Sequence, residues 1–260
     1  MKTVFITGAT SGIGQEMARE YHAAGWRVLF CGRREDRLRE FESELETISA
    51  GRAKGFLIDV VKESDFAVVG EYLTQAGGSL DLIIANAGFG VAGKFERLAH
   101  ADYVRQFDTN VYGVMNSFRP FISEIKKSRG QFVIIGSGNG YISLGGSSPY
   151  CMSKFAVRAF SDALGFEMRK YGVAVTLVCP GFVESEIRHV NNRGELVADS
   201  ADPVPKWIQV PAKKAAREAI RGIAKRKAEV WVTGHVKLFI LLELLLPGVS
   251  RWVKARVIPV

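Results

Sequence analysis

Near the N-terminus, a run of β-branched and aromatic residues leads into the stretch Thr7-Gly8-Ala9-Thr10-Ser11-Gly12-Ile13-Gly14. Glycines at these spacings allow a tight turn, and they let backbone N–H groups approach a pyrophosphate at the positive end of the next helix. An ordinary glycine-rich turn between a strand and a helix is the alternative. Because the stretch stands at the first strand-to-helix junction and a complete β-α-β unit follows, it predicts a dinucleotide-binding loop.

Short apolar runs alternate with helical patterns along most of the 260 residues. Continuous apolar strands are typical of a parallel sheet covered on both faces. The predicted strands are Val4–Thr7, Val28–Cys31, Gly55–Ile58, Leu82–Ala85, Phe132–Ile135, Val173–Cys179 and a seventh at Val230–Val232. The predicted helices are Ile13–Ala24, Glu35–Ile48, Glu63–Gln75, Ala101–Ile125, Pro149–Tyr171 and Ala212–Arg226, the first five ended by Gly25, Gly51, Gly77, Gly130 and Gly172. With no repeat or linker, residues 1–260 predict one α/β domain with a Rossmann-like, doubly wound parallel sheet.

Composition is that of a globular protein, with 47% hydrophobic and 24% charged residues. The three cysteines and four histidines are scattered, so neither a disulfide framework nor a metal site is expected. The absence of a disulfide pattern indicates a reducing compartment, and the first residues show no signal-peptide pattern. Together these features predict a cytoplasmic protein.

The net charge of +8 comes from the C-terminal part of the chain. Residues 213–260 hold 11 Lys/Arg and 3 Asp/Glu, which leaves 24 of each sign in residues 1–212. Since the body is neutral and lacks basic residues grouped with aromatics, nucleic acid is not an expected partner.

Two residues four apart, Tyr150 and Lys154, share one face of a predicted helix. A phenol has a pKa of about 10. A cation one turn away is expected to lower that pKa towards the range that acid/base catalysis needs. Ser137 precedes them in a glycine-rich stretch that could bring its hydroxyl beside the phenol. Singly, each residue could equally be a packing, loop or surface residue.

The end of the second strand, Cys31-Gly32-Arg33-Arg34, carries no acid that could accept hydrogen bonds from a ribose 2′-OH. Guanidinium groups attract a 2′-phosphate by charge and by bidentate geometry. Arg33 and Arg34 therefore predict NADP rather than NAD. The alternative is that both arginines are solvated residues at the start of a helix.

These motifs, in this order and spacing, resemble the short-chain dehydrogenase/reductase family over residues 1 to about 185. The resemblance implies hydride transfer between NADP(H) and a carbonyl or secondary alcohol, with Tyr150 exchanging the proton, Ser137 bonding the substrate oxygen and Lys154 also holding the nicotinamide ribose. Asn110 would hold a water of a proton relay. Homodimers or homotetramers through helices 101–125 and 149–171 are also implied.

The same resemblance assigns further cofactor contacts. They are the loop residues Gly8, Thr10, Ser11, Gly12, Ile13 and Gly14, then Asp59 and Val60, Asn86, Ala87 and Gly88, and finally Pro180, Gly181, Val183 and Ser185. Ser185 stands where many members have threonine, and Gly136 where many have a second serine. A catalytically silent NADP(H)-binding regulator or scaffold is the alternative function. Such proteins usually lack at least one of the four catalytic residues, and here all four are present, namely Asn110, Ser137, Tyr150 and Lys154.

Two C-terminal segments remain without an assigned substrate or partner. Residues 184–210 are polar and rich in turn formers, such as Asp199-Ser200, and predict a substrate flap. In the tail, residues 234–260, the apolar run 238–246 is flanked by Lys and Arg and is too short for a bilayer span. A peripheral membrane segment and a helix packed on protein both stay open. Membrane contact would favour a lipophilic substrate.

Overall fold

The computed structural model describes residues 1–197, 202 and 204–257, the side chain of Val257 excepted. Seven parallel strands form one sheet in the order β3-β2-β1-β4-β5-β6-β7. Their bounds are β1 Thr3–Thr7, β2 Arg27–Gly32, β3 Ala53–Leu57, β4 Leu82–Ala85, β5 Gln131–Ile135, β6 Ala174–Pro180 and β7 Glu229–Val232. The predicted single-domain, doubly wound sheet is confirmed, with strand ends shifted by one or two residues.

Ten α-helices connect and cover these strands in the described part of the chain. They are α1 Gly12–Ala23, α2 Glu35–Ile48, α3 Ala67–Gln75, α4 His100–Phe107, α5 Gly113–Asn116, α6 Ile122–Ser128, α7 Ser148–Arg169, α8 Ala212–Ala224, α9 Gly234–Leu245 and α10 Pro247–Val257. A 3₁₀ turn at Glu63–Phe66 precedes α3, so the predicted helix 63–75 is of mixed type.

Two apolar cores lie on the two faces of the sheet. On one face, α1, α2 and α8 bury residues such as Met17, Leu45 and Ile223 against Phe30. On the other face, the remaining helices cover Phe5, which meets Phe66 and Phe121 edge to face. Strands buried on both faces explain why their sequences read as continuous apolar runs rather than as alternating patterns.

The predicted helix Ala101–Ile125 is wrong as one unbroken element. Helix α4 passes into a π turn at Asp108–Tyr112, then into α5, and a 3₁₀ turn at Arg119–Phe121 precedes α6. Pro120 lies in the break, because proline has no N–H to donate and its ring clashes with the carbonyl four residues earlier. The π turn inserts one extra residue into the helix, as often happens at functional sites.

Four of the five glycines predicted to end helices have positive φ, and Gly130 does not. At the end of α6, Arg129 takes the left-handed conformation, with φ 49°. A Cβ on Gly130 would lie 2.5 Å from the carbonyl oxygen of Asp81. Gly130 is therefore required for close backbone approach at the start of β5 rather than for a helix cap.

The order of the strands places β1 between β2 and β4. From β1 the chain continues to β2 and β3 on one side of the sheet, and then crosses to β4, β5, β6 and β7 on the other side. A crevice forms at the carboxyl ends of strands where the order reverses in this way. The loops after β1 and β4 meet at this crevice, and the site is built around them.

The C-terminal tail forms two helices. Helix α9 buries Val236 and Ile240 against the body, while most of its other apolar side chains are exposed. In residues 1–197, 202 and 204–257, no helix is long and apolar enough to cross a membrane. Residues 258–260 of the tail, and 198–201 and 203 of the predicted flap, lie outside the described residues.

Candidate active site

The loop between β1 and α1 has the conformation that its glycines predict. Gly8 and Gly12 have φ of +64° and +60°. A Cβ on Gly8 would lie 2.7 Å from the Cα of Ala87, and one on Gly14 would lie 2.3 Å from Nδ2 of Asn86. Ser11 precedes the first turn of α1, and its side chain accepts no hydrogen bond from that turn. The backbone N–H groups at the start of α1 are therefore not capped by this side chain. The half-buried Ile13 fixes the helix on the core.

Asn86 and Thr7 join the loop after β4 to this first loop. The Asn86 amide donates to the carbonyl oxygens of Thr7 at 3.0 Å and of Gly8 at 2.8 Å. In return, the Thr7 hydroxyl accepts from the backbone N–H groups of Asn86 and Ala87, both at 3.1 Å. Gly88 follows, where a Cβ would lie 3.1 Å from Oδ1 of Asn110. The structure therefore brings residues 86–88 to the glycine loop through Thr7, the first residue of that stretch, which was not among the predicted cofactor contacts.

Asp59 and Val60 lie on the loop after β3. Asp59 accepts from the Val61 N–H at 3.2 Å, and its own N–H donates to Asp65. Val60 is buried, and its carbonyl oxygen accepts from Asn116 at 2.9 Å. Asp59 and Arg33 line one open depression at the β2–β3 side of the crevice, where an adenine ring would lie if the predicted contacts hold.

Arg33 and Arg34 are near this depression, but both already have partners. Arg33 donates to the carbonyl oxygen of Gly194 at 3.0 Å. Arg34 donates to the Thr10 hydroxyl at 3.1 Å and forms an ion pair of 2.9 Å with Glu186. Neither arginine is therefore simply solvated. Sequence reasoning missed Glu186 and Gly194, because both are more than 150 positions away from their partners in the chain.

Ser137, Tyr150 and Lys154 meet at the carboxyl end of β5. Ser137 follows the strand, its hydroxyl accepts from the Asn139 N–H at 3.1 Å, and it lies close enough to the Tyr150 phenol to act on the pKa of that group. Lys154, one turn after Tyr150 on α7, donates to the carbonyl oxygen of Ile135 at 3.0 Å. Its Nζ lies 5.6 Å from the centroid of the Tyr150 ring. The three predicted side chains are thus in one place.

Burial controls the proton affinities of this pair. It raises the pKa of Tyr150, and the hydrogen bond with Ser137 only partly opposes this. It also lowers the pKa of Lys154 to about 8. The prediction that Lys154 brings the pKa of Tyr150 down is therefore wrong for the protein alone, since removal from water disfavours both charged forms. Tyr150 holds its proton at neutral pH, which suits a proton donor.

Asn110 lies in the π turn and is buried. Its side-chain oxygen accepts from the Phe89 N–H at 3.1 Å, while its Nδ2 donates to the Phe89 carbonyl oxygen at 3.0 Å and to the Ser153 hydroxyl at 3.2 Å. Ser153 in turn donates to the carbonyl oxygen of Tyr150 at 2.8 Å. The structure gives Asn110 a positioning role between the β4 loop and α7, and its water contact stays a prediction.

Residues 180–185 border the site from the β6 side. Pro180 ends β6, and a Cβ on Gly181 would lie 2.3 Å from Nε2 of His235. The same His235 nitrogen accepts from the Phe182 N–H at 3.1 Å. Val183 is buried in a bridge with Val210, and Ser185 reaches the glycine loop, 3.2 Å from a Cβ built on Gly12. His235, from the tail, is a neighbour of the site that no sequence motif indicated.

Comparison with known proteins relates the chain to dehydrogenases. A family model described as short chain dehydrogenase matches residues 2–196. Dehydrogenase/reductase SDR family member 7B of Xenopus tropicalis is 32% identical over 260 residues, which cover 95% of this chain and 82% of the relative. 11-beta-hydroxysteroid dehydrogenase 1A of Arabidopsis thaliana is 27% identical, with 96% of this chain and 74% of that protein covered.

Two solved structures share the fold. A short-chain dehydrogenase/reductase from Burkholderia phymatum in complex with NAD superposes with a TM-score of 0.83 at 22% identity, covering 96% of this chain and 95% of that one. A short-chain dehydrogenase from Sphingobium yanoikuyae in complex with NADPH gives a TM-score of 0.80 at 23% identity, covering 99% and 96%. One neighbour holds NAD and the other NADPH.

Proposed function

Because the chain belongs to the short-chain dehydrogenase/reductase family, we propose that it transfers a hydride between NADP(H) and a carbonyl or secondary-alcohol substrate. Family membership makes it an oxidoreductase of the nicotinamide-dependent class. The observation that carries the proposal is the meeting of Ser137, Tyr150 and Lys154 at the edge of a glycine-lined crevice.

In this proposal, the glycine loop holds the pyrophosphate, residues 86–88 border the cofactor, and residues 180–183 lie against the nicotinamide. The bound cofactor supplies or accepts the hydride. Tyr150 gives its proton to the carbonyl oxygen during reduction, which its raised pKa favours by keeping it protonated. The Ser137 hydroxyl, which lies beside the phenol, stabilises charge developing on the same oxygen.

Lys154 would support this proton transfer from the other side of the phenol. With a pKa of about 8, its ammonium group is charged at neutral pH and can contact a ribose hydroxyl near Tyr150. Asn110 and Ser153 hold the start of α7, and hence Tyr150, at a fixed distance from the β4 loop. Geometry of this kind is what positions a proton donor against its substrate.

Preference for NADP rests on Arg33 and Arg34 and on the absence of an acid at the end of β2. An apolar substrate is supported by Phe89, Ile142 and Phe182, which lie on the loops after β4, β5 and β6. A relative named as a hydroxysteroid dehydrogenase agrees with this chemistry without establishing it for this chain.

The test is a screen for cofactor oxidation with small polar and long-chain carbonyl compounds. We expect a higher kcat/KM with NADPH than with NADH, and turnover of long-chain carbonyls. A higher kcat/KM with NADH would contradict the NADP assignment. Tight NADPH binding with no oxidation across the panel would support the silent regulator instead.

The tail suits contact with a membrane surface better than packing on the body. In α9 only Val236 and Ile240 are buried, and α10 is held against it by Lys254, which donates to Glu243 at 2.7 Å. The exposed apolar residues are Leu238, Phe239, Leu241, Leu244, Leu245, Leu246, Val249 and Trp252. Arg251 and Arg256 are exposed beside them, as anionic headgroups require. A cytoplasmic location with this peripheral contact stays a prediction.

Co-sedimentation with anionic phosphatidylserine vesicles tests this surface in the full chain. Leu238→Glu with Leu245→Glu should lose most of the bound fraction. The control is Ile48→Glu, which places one such charge at a similarly exposed apolar site on α2 and should bind as wild type does. Equal sedimentation of all three proteins would exclude the membrane role.

A second copy of the chain is proposed on a different face. Helices α4 and α7 pack together, and Val104, Met152 and Phe166 are exposed on them. Apolar residues grouped in this way are typical of subunit interfaces. Analytical ultracentrifugation should give a dimer or tetramer that Phe166→Glu weakens, and a wild-type monomer would contradict this.

A further inference from the structure

The described part of the flap, residues 184–197, lies across the cofactor crevice. At one side Ser185 contacts the glycine loop and Glu186 pairs with Arg34. At the other side Asn192 exchanges two hydrogen bonds with the backbone of Ala92, at 3.0 and 2.9 Å. The segment is thus attached both to the residues that select the cofactor and to the loop after β4.

The contact of Glu186 with Arg34 differs from an ordinary surface ion pair. Both side chains are about one third exposed, and the nitrogen that meets Glu186 also donates to Thr10 of the glycine loop. A carboxylate therefore lies within 2.9 Å of the guanidinium group that the proposed function assigns to the 2′-phosphate. The neighbouring Arg33 is occupied by the carbonyl oxygen of Gly194 in the same segment.

Two anions cannot share this position at low cost. A carboxylate and a phosphate in contact with the same guanidinium repel each other, and the half-buried site screens that repulsion less than bulk water does. The phosphate carries more charge and more acceptor oxygens than the carboxylate, so it is the stronger partner for arginine. When it arrives, the carboxylate is the group that moves.

We propose that Glu186 is a specificity-determining residue that occupies Arg34 in place of the 2′-phosphate of NADP, so that binding of this phosphate releases the N-terminal side of the flap. The inference rests on the proposed preference for NADP. NAD has no 2′-phosphate and leaves the Arg34–Glu186 pair in place. The flap therefore responds to which cofactor is bound, at a segment that also contacts the glycine loop through Ser185.

Calorimetric titration with 2′,5′-ADP and 5′-AMP isolates the effect, because the two fragments differ only in the 2′-phosphate. Glu186→Gln should bind 2′,5′-ADP about fivefold more tightly than wild type and 5′-AMP within about twofold of it. The matched control is Glu184→Gln, which removes the same charge from an exposed position two residues away. It should change neither affinity.

Arg34→Ala separates failure of this inference from failure of the proposed function. If Arg34 binds the 2′-phosphate, this variant should weaken 2′,5′-ADP about tenfold and leave 5′-AMP unchanged. Unchanged 2′,5′-ADP affinity in both Arg34→Ala and Arg33→Ala would overturn the NADP assignment itself. A loss in Arg33→Ala alone would keep that assignment and overturn the role of Arg34, and with it this inference. If Arg34→Ala weakens 2′,5′-ADP binding as expected but Glu186→Gln does not strengthen it, only the proposal that Glu186 competes with the 2′-phosphate is overturned.

Hydrogen exchange supplies the second measurement. In wild type, 2′,5′-ADP should speed amide exchange in residues 186–194 severalfold, whereas 5′-AMP should not. In Glu186→Gln, exchange there should already be fast without a ligand. Equal protection with both fragments in wild type would contradict release of the flap.

Discussion

The two sides of the site are held together by different kinds of contact. Around Tyr150, the contacts are buried and end on backbone atoms: Asn110 with Phe89, and Lys154 with Ile135. Around Arg34, they are partly exposed and join side chains from distant segments, as in the pair with Glu186.

The buried contacts belong to the side proposed to carry the reaction, and the exposed contacts belong to the side proposed to select the cofactor. Buried amides and backbone acceptors are costly to leave unpaired, so they hold Tyr150 in one place. Exposed ion pairs contribute little stability and exchange partners readily. A fold that combines buried hydrogen bonds with exposed ion pairs can keep the residues around Tyr150 in place while the contacts around Arg34 change with the bound cofactor.

Tyr150→Phe removes the proton donor and keeps the ring. Turnover should fall by about a thousandfold, the size of a general-acid contribution, while NADPH affinity stays within about twofold. Steady-state rates and fluorescence titration check the two quantities. Full activity would mean that another group donates the proton.

Lys154→Met tests how strongly burial disfavours the ammonium group. The pKa of Lys154 is lowered from 10.5 to about 8, so the wild-type fold is penalised where lysine is charged, most fully below about pH 8. As pH rises from 7 to 10, the free energy of unfolding of wild type should gain on the order of 2 kcal/mol relative to the variant. Urea unfolding of both proteins measures this difference, in which the other titrating groups cancel. A constant difference would contradict the lowered pKa.

Asn110→Ala leaves the buried N–H group of Phe89 without a partner, whereas the Phe89 carbonyl oxygen keeps the hydrogen bond from Gln106. The free energy of unfolding should fall by about 2 kcal/mol, and kcat should fall with it because α7 loses its contact through Ser153. Asn116→Ala is the matched control, since this half-buried amide bonds only backbone carbonyls after β3. Its loss should be smaller than about 1 kcal/mol and should leave kcat unchanged. Equal losses of unfolding free energy and of kcat in Asn110→Ala and Asn116→Ala would contradict the special role of the buried contacts around Tyr150.

Asn192→Ala addresses the exposed side. It removes two hydrogen bonds between the flap and Ala92, both exposed to water. Opening of residues 186–194 should become about threefold more frequent by hydrogen exchange, with kcat within about twofold of wild type. A large loss of kcat would show that the flap, and not only the buried contacts, positions Tyr150.

The sequence predicted most of the sheet and which candidate side chains meet in one place, because both depend on local patterns. Apolar runs determine strands, and the glycine loop, Ser137 and the Tyr150–Lys154 spacing are motifs in one short stretch each. Helix 101–125 was mistaken because the π turn at Asn110 has no clear local signal, although Pro120 indicated the second break. The partners Glu186 for Arg34 and His235 for Phe182 depend on tertiary contacts that no short motif encodes.

Hydride transfer itself is tested most directly with NADPH that carries deuterium at both positions of nicotinamide C4. A carbonyl substrate from the screen is reduced, and the alcohol is analysed by mass spectrometry. One deuterium on the carbinol carbon of each product molecule is the predicted result, with none in the product of the Tyr150→Phe reaction above background. An alcohol without deuterium, or bound NADPH that no carbonyl oxidises, would contradict the proposed reaction.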